Sequence, residues 1–178
     1  MVYVLLADGF EEIEALTPVD ILRRAGIEVK TVSIKHRTVT GAHNISVIAD
    51  ALITELENAD DMELLMLPGG AGHELLDASN DVHGLINLAH ERGIYIAAIC
   101  AAPSIIGKKM LLDGKKATCF PGYEKYLHGA EITGEKVTVD GKFITGRGAG
   151  AASEFGFAIC EILKDRSTAD SLRISMQY

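Results

Sequence analysis

Short runs of β-branched and aliphatic residues alternate along the chain with longer stretches whose apolar positions recur every three or four residues. Val2–Leu6, residues 27–34, Leu64–Leu67 and residues 94–99 are of the first kind; residues 13–25 and 82–91 are of the second. This alternation predicts an α/β fold in which a mostly parallel sheet is covered by helices on both faces, since a parallel crossover needs a dozen or more residues. Residues 39–48, around Thr40-Gly41, read as a small hairpin at the sheet's edge. Residues 136–145, with Asp140-Gly141 at their middle, read as the clearest hairpin in the chain. Gly146-Arg-Gly-Ala-Gly150 then turns into a helix over residues 152–163, and a polar tail follows. No repeat, linker or low-complexity stretch interrupts this order, so one domain over residues 1–178 is expected.

Two places in the pattern carry candidate chemistry. Cys100 lies between the strand pattern of residues 94–99 and a helix opened by Pro103, a junction where a side chain is commonly raised above the sheet on strained backbone. N–H groups at a helix start favour a thiolate, so the expected pKa lies below the ~8.5 of a free thiol. A small buried hydrophobe is the other reading of the same cysteine. At 100° per residue, the helix after Gly9 gathers Ala15, Pro18, Val19, Ile21, Leu22 and Ala25 on one face and sets Glu12, Thr17, Asp20, Arg23 and Arg24 opposite. Glu14 falls within the apolar face, where desolvation would keep it protonated and able to serve a thiolate; alternatively it joins Glu11 and Glu12 in an acidic first turn. Its angular position favours the first reading, and Pro18 predicts a kink nearby. Leu67-Pro-Gly-Gly-Ala-Gly72 follows a strand and lacks the Gly-Lys-Ser/Thr ending of a phosphate loop, so its N–H groups are candidates for holding an oxyanion.

Composition narrows the classes. A chain of 178 residues with 48% hydrophobic and 24% charged residues can bury one substantial core. A net charge of -8 without a basic stripe argues against nucleic acid. No apolar run reaches the ~20 residues of a spanning helix, and the first residues lack a basic lead, so neither a membrane nor a signal peptide is expected. Three cysteines without a C-x-x-C pair suggest no disulfide framework or zinc site and fit a reducing, cytoplasmic compartment. Cys160 reads as core and Cys119 as a loop residue. The six histidines show no metal-ligand spacing, and only folding could bring His73 or His128 to the thiol.

Taken together, Gly9-Phe-Glu-Glu-Ile-Glu14, Pro18-Val-Asp20, Arg23-Arg-Ala-Gly26, Leu67-Pro-Gly-Gly70, Ala97-Ala-Ile-Cys-Ala-Ala-Pro103 and Gly146-Arg-Gly-Ala-Gly150 resemble the DJ-1/ThiJ/PfpI superfamily over nearly the whole chain, with the order of elements seen in its DJ-1 and YajL-like branch. The resemblance implies a flavodoxin-like, class I glutamine amidotransferase-like three-layer sandwich, usually a homodimer with the site near the subunit interface. It implies Cys100 as nucleophile and redox-sensitive thiol, Glu14 as its protonated partner, and Gly70 and Ala101 as oxyanion N–H donors. Gly69, Arg24 and His43 match positions near the family's site and are candidates for substrate binding; Arg24 either helps bind an anionic group or braces the helix, and His43 stands where the family has another arginine. Ala101 stands where the protease-like branch has histidine, and Phe120 where some DJ-1 relatives have histidine, which argues against a peptidase and a fast cysteine–histidine pair.

The function this implies is a cofactor-independent enzyme, with no metal, acting on methylglyoxal or its glycation adducts in the manner of a glyoxalase III or deglycase. A redox sensor or redox-regulated chaperone using oxidation of Cys100 is the alternative. Thiamine-pathway and peptidase roles stand lower.

Overall fold

The computed structural model describes residues 1–56 and 59–178. Its elements follow in the order β1 (Val2–Leu6), α1 (Glu12–Arg24), β2 (Val29–Ser33), β3 (Thr38–Thr40), β4 (Ser46–Ile48), β5 (Ala51–Leu52), β6 (Leu64–Leu67), α2 (His73–Asp77), α3 (Asn80–Glu91), β7 (Tyr95–Ile99), α4 (Pro103–Lys108), β8 (Lys116–Ala117), β9 (Glu131–Ile132), β10 (Val137–Asp140), β11 (Phe143–Gly146), α5 (Ala152–Leu163) and α6 (Arg166–Ser175).

Seven strands form the main sheet in the order β10-β11-β7-β6-β1-β2-β5, with every pairing parallel except the β10–β11 hairpin. Successive side chains of a strand point to opposite faces, and here both faces are apolar. Val2, Val4, Leu6, Leu64, Met66, Ala97 and Ile99 meet Ala15, Val19, Leu22, Phe155 and Ile159 from α1 and α5 on one side. Tyr3, Leu5, Leu65, Leu67, Ile96 and Ala98 meet Val82, Ile86, Ile105 and Ile106 from α3 and α4 on the other. The result is the three-layer α/β sandwich expected from the alternating pattern. Among the described residues no helix is long and apolar enough to cross a membrane.

Three features differ from the sequence reading. The hairpin of residues 39–48 stands apart as its own two-stranded sheet, β3–β4, and the main sheet's edge is β5. The polar tail folds into α6, started by Asp165, whose side chain accepts the Thr168 N–H at 2.7 Å. Glu12 is buried although the wheel put it on the polar face, because residues 41–45 fold over it.

Strand order reverses direction between β1 and β6: the chain first runs outward through β2 and β5, then returns to lay β6, β7 and β11 on the other side of β1. In open α/β sheets the loops diverging at such a point leave a crevice at the carboxyl ends of the strands. Helix α1 leaves that crevice and packs along α5. Gly156 permits the approach, since a Cβ there would lie 2.9 Å from Ile21 Cδ1 and 3.1 Å from the Pro18 backbone. Gly156→Val is expected to cost about 1–3 kcal/mol by overpacking, read as a lower urea midpoint with an unchanged slope; an unchanged midpoint would mean the helices are not in close contact.

Candidate active site

The loops after β1, β6 and β7 meet at the crevice. Strand β7 ends at Ile99, and Cys100 follows with φ of 66°, in the left-handed region where a residue bearing a Cβ is strained by about 1–3 kcal/mol. Two hydrogen bonds hold it there: Cys100 N–H donates to the Gly146 carbonyl and Phe120 N–H donates to the Cys100 carbonyl, both at 2.8 Å. The thiol is left half-buried on the side of the sheet that α1 covers.

Glu14 reaches the same point from the first turn of α1 and is only 1% exposed. Its Oε2 accepts the Gly69 N–H at 3.0 Å, and its carboxyl faces the Cys100 thiol closely enough for each to shift the other's pKa. Gly69 brings the two together because it has no side chain: a Cβ there would lie 2.6 Å from Glu14 Oε2 and 2.7 Å from Cys100 Cβ. Gly70, at φ of 80°, turns the chain so that its N–H, with that of Ala101, faces the sulfur. The β1 and β6 loops are tied by a Phe10–Gly70 bridge and by Glu11 N–H donating to the Gly69 carbonyl at 3.1 Å. Five of the expected residues, Cys100, Glu14, Gly69, Gly70 and Ala101, are thus brought together.

Arg24 and His43 are not placed at the thiol within this chain. Arg24 ends α1 ten residues beyond Glu14, about 15 Å along the axis, and its Nε donates to Asp20 Oδ2 at 2.7 Å in solvent. His43 lies over the start of α1, donating its N–H to Glu12 Oε1 at 2.7 Å, with its Nδ1 2.8 Å from Oε2. Burial alone would raise the Glu12 carboxyl, but the hydrogen bonds from His43 and from the Ile45 backbone hold it below its ordinary value, and Glu12 in turn raises His43. Glu11, Glu12 and His43 put three metal-type ligand atoms within 4.8 Å of one another, but both Glu12 oxygens are taken by His43, so the group acts as a clasp on the loop. His73 turns its Nδ1 to the Gly70 carbonyl, 2.7 Å away.

The electrostatics reverse one expectation. Burial pushes Glu14 up to about 7, against smaller lowering by the bonds to Cys100 and Gly69. Burial, then the facing Glu14 carboxylate, pushes the Cys100 thiol up to about 12, whereas the Ala101 and Gly70 N–H groups pull it down. Burial and the Glu14 carboxylate thus outweigh the N–H groups of the turn, and the thiol is raised where the helix end led to the expectation of a lowered value. The two shifts belong to one buried pair sharing a proton. While Glu14 is charged it holds the proton on sulfur; once Glu14 takes that proton, the same carboxyl becomes a donor to the thiolate.

With this geometry in view, the DJ-1/PfpI family profile matches residues 1–162. The chain belongs to the DJ-1/PfpI family. It is 36% identical over 172 residues to protein DJ-1 homolog B of Arabidopsis thaliana, which covers 94% of this chain and 39% of the plant protein. The chain spans less than half the length of the two Arabidopsis relatives it matches, 39% and 45%. A Pyrococcus abyssi protein named as a deglycase is 30% identical over 148 residues, covering 82% of this chain and 89% of its own. The solved structure of oxidized Toxoplasma gondii DJ-1 superposes with a TM-score of 0.94 at 30% identity, covering 99% of this chain and 97% of that one. The fold of this DJ-1/PfpI chain is thus shared across its length with solved members of the family.

The Glu14 shift has a stability consequence. An acid whose folded pKa is raised stabilises nothing when ionised: the protein loses stability as pH rises from the unfolded value, near 4.5, through about 7. Glu14→Gln cannot ionise, so at pH 8 it should be more stable than the wild type by on the order of 3 kcal/mol, with the gain absent at pH 4. Urea unfolding at the two pH values checks this; equal stabilities at pH 8 would mean Glu14 is not desolvated.

Proposed function

We propose that this DJ-1/PfpI protein is a cysteine-dependent enzyme that needs no cofactor and acts on methylglyoxal or on the early adducts it forms with amines and thiols. The observation that carries this reading is the convergence of the Cys100 thiol, a Glu14 carboxyl that titrates near neutrality and two backbone N–H groups at one point. A general base is most useful when its pKa lies near the working pH. The name of the Pyrococcus abyssi relative supports the same class of chemistry.

In this mechanism the sulfur attacks the aldehyde carbon while its proton passes to the Glu14 carboxylate. The carbonyl π electrons move onto oxygen, where the Gly70 and Ala101 N–H groups stabilise the new charge. Glu14 returns the proton to that oxygen to give a hemithioacetal. A hydrogen then moves, as a proton by way of an enediol, from the former aldehyde carbon to the neighbouring carbonyl carbon. This leaves a thioester of a 2-hydroxy acid that water hydrolyses. One carbon is oxidised as its neighbour is reduced, so no external oxidant enters. A homodimer is the common state in the family, and Ile13, Ile45 and Ile48 are large apolar side chains exposed on this chain that such an interface could cover.

A second reading rests on the same half-buried thiol: peroxide converts Cys100 to a sulfinate held by Glu14 and the N–H groups, and the protein serves as a redox sensor or chaperone. That the matched Toxoplasma structure is of an oxidized protein favours keeping it. Intact-mass analysis after mild peroxide, run beside a turnover assay, separates the two, since a gain of two oxygens without any turnover supports the sensor.

For the enzyme reading, purified Cys100→Ser is expected to lose methylglyoxal consumption by at least about a hundredfold. The wild-type rate should rise with pH through about 7, as Glu14 becomes able to accept the thiol proton. A Cys100→Ser protein as active as the wild type would end the proposal.

A further inference from the structure

The turn Gly146-Arg-Gly-Ala-Gly150 takes no part in the chemistry above, yet residues 147–151 form one wall of a cavity of about 450 Å³. Phe120 and Pro121 form the other wall. Both walls are fastened to the cysteine turn, one through the Gly146 carbonyl that accepts the Cys100 N–H and the other through the Phe120 N–H that donates to the Cys100 carbonyl. Each wall is therefore one backbone hydrogen bond away from the peptide of Cys100. The Phe120 ring rests against Gly148, where a Cβ would lie 3.3 Å from the ring's Cδ2, and it remains 47% exposed, an aromatic face turned to the opening.

Arg147 is the single charged residue among those lining this cavity. Its Nη1 donates to the Gly134 carbonyl at 3.1 Å, and it forms no ion pair among the described residues. The other six arginines all pair with carboxylates. In a chain of net charge -8, acidic partners are plentiful, so one exposed arginine at the edge of a cavity walled by small residues and an aromatic ring, without a carboxylate partner among the described residues, is a specific feature. A guanidinium presents five N–H donors in a planar fork that matches a carboxylate or a phosphate, and a cavity of this volume is of small-molecule size.

We propose that this cavity is a recognition subsite beside Cys100 for an aldehyde whose far end is anionic, a carboxylate or phosphate held by Arg147 next to the face of Phe120. That the ligand is a substrate rests on the proposed chemistry of Cys100; the preference for an anion does not. Neutral methylglyoxal then makes only part of the contacts the site offers, and a carboxylate-bearing aldehyde such as glyoxylate makes more.

Alkylation of Cys100 tests the subsite without turnover, because iodoacetate and iodoacetamide differ only in a carboxylate against a neutral amide. Peptide mass analysis assigns the label to Cys100 rather than to buried Cys119 or Cys160. Arg147→Gln should lower the iodoacetate rate roughly tenfold, about 1.4 kcal/mol, with the iodoacetamide rate unchanged within about twofold, and Arg147→Lys should recover part of the loss. Millimolar acetate or inorganic phosphate, whichever is the better mimic, should protect the wild type from iodoacetate and not protect Arg147→Gln. An iodoacetate-to-iodoacetamide ratio that is the same in wild type and Arg147→Gln, or protection by neither anion, overturns the subsite. Absence of aldehyde turnover in the wild type would instead count against the function proposed for Cys100, leaving the alkylation result to decide the subsite.

Discussion

At residue 69 only a hydrogen atom fits between Glu14 and Cys100, and the site depends on that close approach. Glycine there lets the loop after β6 slide beneath the cysteine turn and give its own N–H to the Glu14 carboxylate. Three chain segments far apart in sequence are thereby locked at neighbouring strand ends, one bearing an acid, one a thiol and one the N–H groups between them. The fold supplies the rest of the constraint: α1 is pressed against the sheet and α5, so Glu14 is almost wholly withdrawn from solvent.

The arrangement opposes local stability in two ways that bear on the proposed chemistry. Cys100 is kept in a left-handed conformation, and Glu14 is kept out of water. Each is unfavourable by itself, and each persists because the surrounding packing and hydrogen bonds over-determine it. Burial then does what a histidine does in many thiol enzymes, providing a base that titrates near neutral pH. His73 is committed to the Gly70 carbonyl and so braces the loop.

Much of this was legible in the sequence, for identifiable reasons. The sheet could be read because Val2–Leu6 and Leu64–Leu67 are continuous apolar runs and the helices between them are periodic. Glu14 could be found because one acid in an apolar stripe breaks the period, and Cys100 because it stands where a strand pattern meets a proline. Glu12 escaped, since its burial comes from a loop some thirty residues away whose polar sequence gives no hint that it folds back. Helix α6 escaped because Ala169 is its one buried residue, although Asp165 three residues before Thr168 is a capping signal. The upward shift of the thiol is not legible in the turn because it comes first from burial under the folded chain and then from Glu14, 86 positions away in sequence. Arg24 matched a family position, yet it sits at the far end of α1 from the thiol in its own chain. The cavity at Phe120 and Arg147 joins two segments whose proximity only the fold creates.

The most direct measurement of the shared proton is the pH dependence of Cys100 alkylation by a neutral reagent, in wild type and in Glu14→Gln. One buried pair holding a common proton predicts that the wild-type curve carries an inflection set by both residues, and that removing the ionisable carboxyl displaces it by at least about one pH unit. Curves that superimpose would mean the thiol titrates independently of Glu14, and the account of the site would be wrong.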